Sequence, residues 1–91
     1  MPLVKNFEKK VFDVEGFKIR IMDNGVNVRG DKEIPNQYSF EKKCPGNQTV
    51  FEWRTNRFSK FLAGYDVDVL YSDENIAIGQ TTLKTVRETY I

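Results

Sequence analysis

The sequence predicts a single α+β domain in which an antiparallel sheet of about six strands packs against one main helix. Three observations lead to this fold class: several short segments alternate apolar and polar residues, turn-forming residues separate them, and one longer segment is amphipathic with helical spacing. The predicted order is ββββ-α-ββ, with a short C-terminal helix as a further element. At 91 residues the chain can bury one core, so we expect one domain over residues 1–91.

The N-terminal third is predicted to form a three-stranded meander. Residues 17–22 alternate apolar and polar side chains, as a half-buried strand does. The Asn24-Gly25 pair fits a type I′ turn, and residues 26–28 continue the alternation on the return strand. Residues 10–14 are predicted as a partner strand, joined to the first by a tight turn at residues 15–16.

The remaining strands are predicted on both sides of the helical segment. Residues 37–42 alternate again and are expected to form a fourth strand. Residues 65–71 and 76–78 are expected to form a second hairpin around the turn formers of residues 72–75. Residues 80–91 allow either a strand or a short helix, and the spacing of their apolar residues favours the helix.

The main helix is predicted over residues 49–64. Thr49 and Glu52 have the spacing of a capping box, and Gly64 is suited to the left-handed conformation that ends many helices. At about 100° per residue, one arc of the helix collects the side chains expected to face the core. These are Val50, Phe51, Phe58, Phe61 and Leu62.

A flank of this helix is the candidate contact surface. Trp53 falls outside the apolar arc and groups with Asn56, Arg57 and Lys60. An indole beside cations suits an acidic protein surface or a nucleic acid. In the alternative interpretation Trp53 packs on the edge of the sheet and the cations only solvate the helix. The candidate partner-binding residues are Trp53, Arg54, Asn56, Arg57, Lys60, Lys42 and Lys43.

Arg54 is exceptional among them because its projected position lies inside the apolar arc. We expect it either to extend past the aromatic rings towards water or to pair with a buried carboxylate.

Charge is balanced overall and uneven along the chain. The formal net charge is +1, which gives no general attraction to nucleic acid or membranes. Residues 41–64 carry five cations against two carboxylates, whereas residues 65–78 carry four carboxylates and no cation. Any electrostatic recognition is therefore expected to be local, unless the two segments simply neutralise each other in space.

The sequence offers little catalytic chemistry. There is no His, and Cys44 is the only cysteine, so we expect a structural thiol, no intramolecular disulfide and a cytoplasmic location. Asp66 and Asp68 would share a strand face about 7 Å apart and could bind a divalent cation with Asp73 or Glu74. The alternative is that they protect a strand edge from pairing. No catalytic residue, metal or cofactor is predicted.

The sequence thus predicts a small soluble protein without enzymatic activity that binds another protein as an accessory or inhibitory module. The alternatives are a nucleic-acid-binding protein that uses the flank of Trp53, Arg57 and Lys60, and a metal-dependent enzyme that uses Asp66 and Asp68. No membrane segment is expected, and a homodimer is allowed. The last two residues, 90–91, are expected to pack on the chain's own sheet.

Overall fold

The structure, a computed structural model, describes residues 2–90. Its α+β class agrees with the prediction, but within the described residues the sheet has four strands, not six, and several helices cover it. Among these residues no helix has the length and apolar character needed to cross a membrane. The elements are α1 (Val4–Glu15), β1 (Lys18–Asp23), β2 (Val26–Asn27), α2 (Val50–Trp53), a π-helical turn (Arg54–Phe58), α3 (Ser59–Phe61), β3 (Asp66–Leu70), β4 (Ile76–Ala77) and α4 (Leu83–Glu88).

The sheet has the order β2-β1-β3-β4, and each neighbouring pair is antiparallel. The longest ladder joins β1 to β3 and runs from the Lys18–Leu70 pair to the Met22–Asp66 pair. β1 and β2 form the predicted hairpin, in which Asn24 and Gly25 have φ values of 52° and 78°. Positive φ at both positions is the requirement of the type I′ turn.

The prediction of a strand over residues 10–14 is wrong, because these residues belong to α1. Val4, Phe7 and Val11 are fully buried and recur at helical spacing, a pattern that a five-residue window could not reveal. The predicted turn at residues 15–16 is the end of this helix. Gly16 has φ of 84° there, and its N–H donates to the carbonyl of Phe12 at 3.0 Å.

The prediction of a strand over residues 37–42 is also wrong, because this segment is irregular. Its alternation arises from single side chains: Tyr38 is buried in the core, and Phe40 packs partly buried against it. The preceding loop is held to the start of the chain instead, where the Ile34 N–H donates to the Pro2 carbonyl at 2.9 Å.

The main helix forms over residues 50–61 with the predicted capping box. The Thr49 hydroxyl accepts from the Glu52 N–H at 3.1 Å, and the Glu52 carboxylate accepts from the Thr49 N–H at 3.0 Å. In its middle, the Ser59 N–H bonds to the Arg54 carbonyl five residues back, which makes the π-helical turn.

This π-helical turn changes which side of the helix faces the core. In a regular α-helix, positions 53 and 58 would lie about 140° apart. The wider turn brings them together, so Trp53 and Phe58 are both fully buried. Phe51, predicted to face the core, is 54% exposed instead. The predicted apolar arc was therefore wrong for Trp53 and Phe51.

The core lies between the helices and one face of the sheet. Alternate residues of β1 and β3 point into it, while Arg20 and Asp68 lie opposite each other on the other face. Trp53 meets Phe17 edge to face with ring centroids 5.2 Å apart. The largest fully buried side chains include Trp53, Tyr38, Phe7, Phe17, Phe58, Ile21, Ile34 and Leu62.

The C-terminal segment forms the predicted short helix, α4, and Tyr90 packs on the sheet as expected. Its hydroxyl accepts from the Lys18 N–H at 3.0 Å and donates to the Leu70 carbonyl. It thus bridges the β1–β3 ladder at the pair where direct bonding ends. Ile91, which shared this prediction, lies outside the described residues.

Candidate functional site

A fully buried carboxylate, Glu15 at the end of α1, organises the region around the predicted flank. One of its oxygens accepts from the Tyr38 hydroxyl and from Arg57 Nη1, the latter at 2.6 Å. The other accepts from Arg87 Nη2 at 3.0 Å and from the Cys44 N–H at 2.8 Å. A buried charge is tolerated only when it is paired and hydrogen-bonded in this way.

Two of the predicted contact residues, Trp53 and Arg57, form hydrogen bonds within this buried cluster. The Trp53 indole N–H donates to the Tyr38 hydroxyl at 3.2 Å, so the prediction that Trp53 lies on an accessible flank is wrong. The Arg57 side chain is only 16% exposed and also donates to the Lys42 carbonyl at 2.6 Å. Burial and the hydrogen bond to Glu15 raise the pKa of Tyr38.

One of the other predicted cations, Lys60, lies beside an aromatic ring that the sequence had assigned to a strand. We define the Phe40 face as Phe40, Lys42, Lys43, Arg57 and Lys60. The Arg57 guanidinium carbon lies 4.1 Å from the centre of the Phe40 ring, and Lys60 Nζ lies 5.6 Å from it. Lys42, Lys43 and Lys60 are exposed. Lys60 and the partly exposed Phe40 ring form an accessible cation–π contact, and Lys42 and Lys43 are exposed in the same chain segment as the ring.

The charge balance beneath this face leaves it positive. Glu15 is paired with two guanidinium groups, those of Arg57 and Arg87, so the buried cluster carries one cation more than carboxylates. The Arg57 side chain borders Phe40 from this cluster. An acidic group on a partner would therefore meet exposed lysines above an interior that is itself cationic.

Arg54 and Asn56 do not join the Phe40 face through any contact. Asn56 is exposed on the π-helical turn. The Arg54 guanidinium carbon lies 5.5 Å from the centre of the Phe51 ring. Arg54 is partly exposed beside this ring, as a side chain that extends past it towards water would be, and within residues 2–90 it forms no ion pair with a buried carboxylate.

Phe51 belongs to a second exposed surface, at the edge of the sheet. We define the edge strip as Phe51, Ile76 and Ile78, which are 54%, 53% and 66% exposed. Phe51 and Ile78 line one shallow surface depression together with Gly79. Large apolar side chains grouped on a surface are typical of protein interfaces.

The carboxylates considered as a metal site, Asp66 and Asp68 with Asp73 or Glu74, do not form a cluster of three in the described residues. Asp68 lies opposite Arg20 in the ladder, and Asp73 bonds to the Asn75 main chain and side chain at 3.1 and 2.8 Å. Within residues 2–90, no three carboxylate, thiol or imidazole groups form a cluster suited to a metal ion. The geometry therefore adds no support to a metal site at Asp66 and Asp68.

Sequence reasoning missed Glu15, Tyr38, Phe40 and Arg87 in this region. Glu15 carried no signal of its own, because the Glu-Gly pair resembled a tight turn. Arg87 was not among the candidate residues, although its side chain is only 14% exposed and is bonded to Glu15. Helical spacing of Val4, Phe7 and Val11 would have placed Glu15 on the buried face of α1.

No protein-family model matches this chain, and comparisons with curated proteins and with solved structures also found no match.

Proposed function

We propose that this chain is a small non-enzymatic protein-binding module, accessory or inhibitory, that uses the Phe40 face to bind an acidic surface of another protein. The observation that carries the proposal is the contact of Arg57 and Lys60 with a partly exposed Phe40 ring, in a segment that carries two further exposed lysines, Lys42 and Lys43. The buried cluster beside this ring has an excess of positive charge. Aromatic and cationic side chains are the usual anchors of protein interfaces.

Several features favour an acidic protein over a nucleic acid as the partner. Binding to nucleic acid through its backbone gains affinity with each phosphate that a cation neutralises, and a steep salt dependence reflects about 6–10 such contacts. The Phe40 face offers three exposed lysines, and its fourth cation, Arg57, is already bonded to Glu15. The net charge of +1 adds no long-range attraction. A short acidic segment of a protein matches this number of cations better.

Nucleic acid is the second candidate for the same face, because Arg57 and Lys60 flank a Phe40 ring on which an unpaired base could stack. Its signature would be an affinity that falls steeply with salt and a bound fraction that nuclease removes.

We also propose a cytoplasmic location for the protein, since its single cysteine, Cys44, is a buried free thiol.

The test compares partner capture by the native protein with capture by a variant carrying Lys42→Glu, Lys43→Glu and Lys60→Glu. These lysines are exposed, so the fold should be retained, whereas changes at Trp53 or Arg57 would disturb the core. A matched control carries Lys5→Glu, Lys9→Glu and Lys18→Glu, which are exposed lysines of α1 and β1. Its net charge changes by the same amount.

We expect an acidic protein to be captured from host extract after nuclease treatment, lost with the first variant and retained with the control. If nuclease treatment abolishes capture, the partner is a nucleic acid and not an acidic protein. Equal capture by all three proteins would show that the Phe40 face does not bind the partner.

A further inference from the structure

One edge of β1 is only partly paired. On one side β3 pairs with β1 over five residues, whereas on the other side β2 pairs only with its last two residues. The Val28 N–H still donates to the Ile21 carbonyl at 2.9 Å, but beyond this point the chain turns away. The Gly30 carbonyl accepts from the Lys5 N–H of α1 instead. Within residues 2–90, the first half of β1 therefore has no neighbouring strand on this side.

The main-chain groups left open there belong to Ile19. Such groups alternate in direction along an antiparallel strand. The Lys18 N–H faces β3, because it donates to the Tyr90 hydroxyl that bonds to a β3 carbonyl. The N–H and C=O of Ile21 face the other side, where they bond to Glu8 and Val28. The N–H and C=O of Ile19 therefore also face away from β3, and no pairing on that side reaches them within residues 2–90.

Glu8 sets the length of this open edge. Its carboxylate accepts from the Ile21 N–H at 3.4 Å, in the place that the carbonyl of a further strand would take. Both main-chain groups of Ile21 are thus already bonded. An added strand can therefore pair only with Ile19.

A groove of about 620 Å³ lies along this edge, and we call it the β1 groove. Its walls come from α1, from β1 and from the segment 27–30. Ile19 lines it although its side chain is buried in the core, so its main chain is the part that reaches the groove. Phe12 of α1 forms an apolar part of the wall and is 42% exposed. An extended peptide segment suits such a place, because one of its residues supplies both an N–H and a C=O.

The charged side chains of the β1 groove are mainly cationic. The cations are Lys9, Lys18, Arg20 and Arg29, and the carboxylates are Glu8 and Glu74. Arg20 has Asp68 opposite it in β3, whereas Lys18 has only the apolar Leu70 opposite it. Lys18 is also exposed. An acidic side chain opposite Lys18 on an added strand would therefore form a favourable cross-strand pair.

We propose that the β1 groove binds an extended segment of another protein, which adds to β1 as a short antiparallel strand. One apolar residue of the segment exchanges two hydrogen bonds with Ile19, and the next residue is an Asp or Glu that faces Lys18. Because successive side chains of a strand point to opposite faces, the apolar residue lies on the face that α1 covers, beside Phe12. None of these groove residues belongs to the Phe40 face.

The expected affinity is low. One pair of main-chain bonds, one ion pair and one apolar contact make a contact far smaller than the about 800 Å² per partner of a standard interface. We therefore expect a dissociation constant of about 100 µM for a short peptide.

A synthetic peptide serves as the probe. It has blocked ends, Val at its centre, Glu directly after the Val, and Ser and Thr elsewhere. Nuclear magnetic resonance measures its binding and the hydrogen exchange of single amides. In the free protein the Ile19 N–H should exchange faster than the Arg20 N–H, which faces β3 and is the matched control. Saturating peptide should slow the exchange of Ile19 about tenfold and leave that of Arg20 unchanged.

A peptide that is N-methylated at the Val tests the main-chain pairing. It cannot donate to the Ile19 carbonyl, so it should bind about tenfold more weakly than the parent peptide. Equal binding of the two peptides would overturn the proposal.

A charge exchange tests the place of the acidic residue. Lys18→Glu should bind the parent peptide about fivefold more weakly and should prefer a peptide with Lys in place of Glu. The matched control is Lys84→Glu on α4, an exposed lysine outside the β1 groove, which should bind both peptides as the native protein does. Circular dichroism confirms that both variants fold.

The proposal is overturned if the native protein does not bind the parent peptide at about 1 mM, ten times the expected dissociation constant. It is also overturned if Lys18→Glu binds both peptides as the native protein does. The variant with Lys42→Glu, Lys43→Glu and Lys60→Glu keeps every groove residue and should bind the peptide normally. Loss of binding in that variant would place the peptide on the Phe40 face and overturn the proposal. None of these outcomes decides whether the Phe40 face binds an acidic protein.

Discussion

At the scale of single residues, Glu15 connects more of the molecule than any surface side chain does. It ends α1, and its carboxylate bonds to the irregular segment at Tyr38 and Cys44, to the main helix at Arg57 and to α4 at Arg87. Four parts of the chain therefore meet at one buried charge. The free energy of unfolding should depend strongly on it, because removing one member leaves the others buried without a partner.

Glu15→Ala should lower the free energy of unfolding by about 3–5 kcal/mol, since it leaves two guanidinium groups uncompensated. The matched control is Asp13→Ala on the same helix, which removes an exposed pair with Lys9. That change should cost no more than about 1 kcal/mol. Urea unfolding followed by circular dichroism measures both. Similar small losses for the two variants would contradict the role given to Glu15.

Trp53 is the only tryptophan, so its fluorescence reports directly on its position. Because the side chain is fully buried, we expect blue-shifted emission and little quenching by iodide in the native protein. Unfolding in urea should shift the emission to longer wavelength and expose the indole to iodide. If the folded protein already emits like free indole, Trp53 lies on the surface, as the candidate contact surface on the helix flank requires.

Tyr38 gives the structure a dependence on alkaline pH. Burial and the bond to Glu15 raise its pKa above the ordinary value near 10. The unfolded chain therefore releases this proton at a pH where the folded chain retains it, and the free energy of unfolding falls as pH rises above about 10. In urea unfolding between about pH 8 and pH 11, Tyr38→Phe should reduce this decline. If the free energy of unfolding declines with pH in Tyr38→Phe as it does in the native protein, other groups cause the decline.

At the scale of elements, the sequence predicted what local rules determine. The capping box at Thr49 and Glu52, the Asn24-Gly25 turn and the helix before Tyr90 depend on neighbouring residues only, and all three formed. The wrong predictions concern residues whose positions depend on packing between distant parts of the chain. A projection at 100° per residue could not include a π-helical turn, so Trp53 was placed outside the core.

The π-helical turn makes a specific prediction about deletions. Removing the exposed Thr55 should convert the main helix to a regular α-helix, in which Trp53 and Phe58 become four residues apart and still face the core. Removing the exposed Lys9 from the regular helix α1 should instead move Val11 out of the core. Thermal melting should show a cooperative transition for the first deletion and a much lower melting temperature for the second. Equal damage would argue against the π-helical turn.

The candidate site shows the same division between local and long-range information. Lys60 was identified from its helical spacing and Lys42 and Lys43 from the local charge, and all three are exposed. Phe40 was missed because its alternation with Tyr38 resembled a strand, although the two residues sit in an irregular segment. Arg57 was assigned to the flank of the main helix, but its bond to Glu15 depends on a contact 42 residues apart that no local pattern encodes.

At the scale of the whole molecule, the Phe40 face and the edge strip are made of different residues and different chemistry. The Phe40 face is cationic and aromatic, whereas the edge strip is apolar.

The most direct test of the central claim is a map of the partner contact by nuclear magnetic resonance. The captured acidic protein is added to the isotope-labelled chain, and the amide signals that move are assigned. We expect the largest changes at residues 40–43 and 56–60, with little change at residues 76–78. Changes confined to the edge strip, or spread over other parts of the sheet, would contradict binding through the Phe40 face.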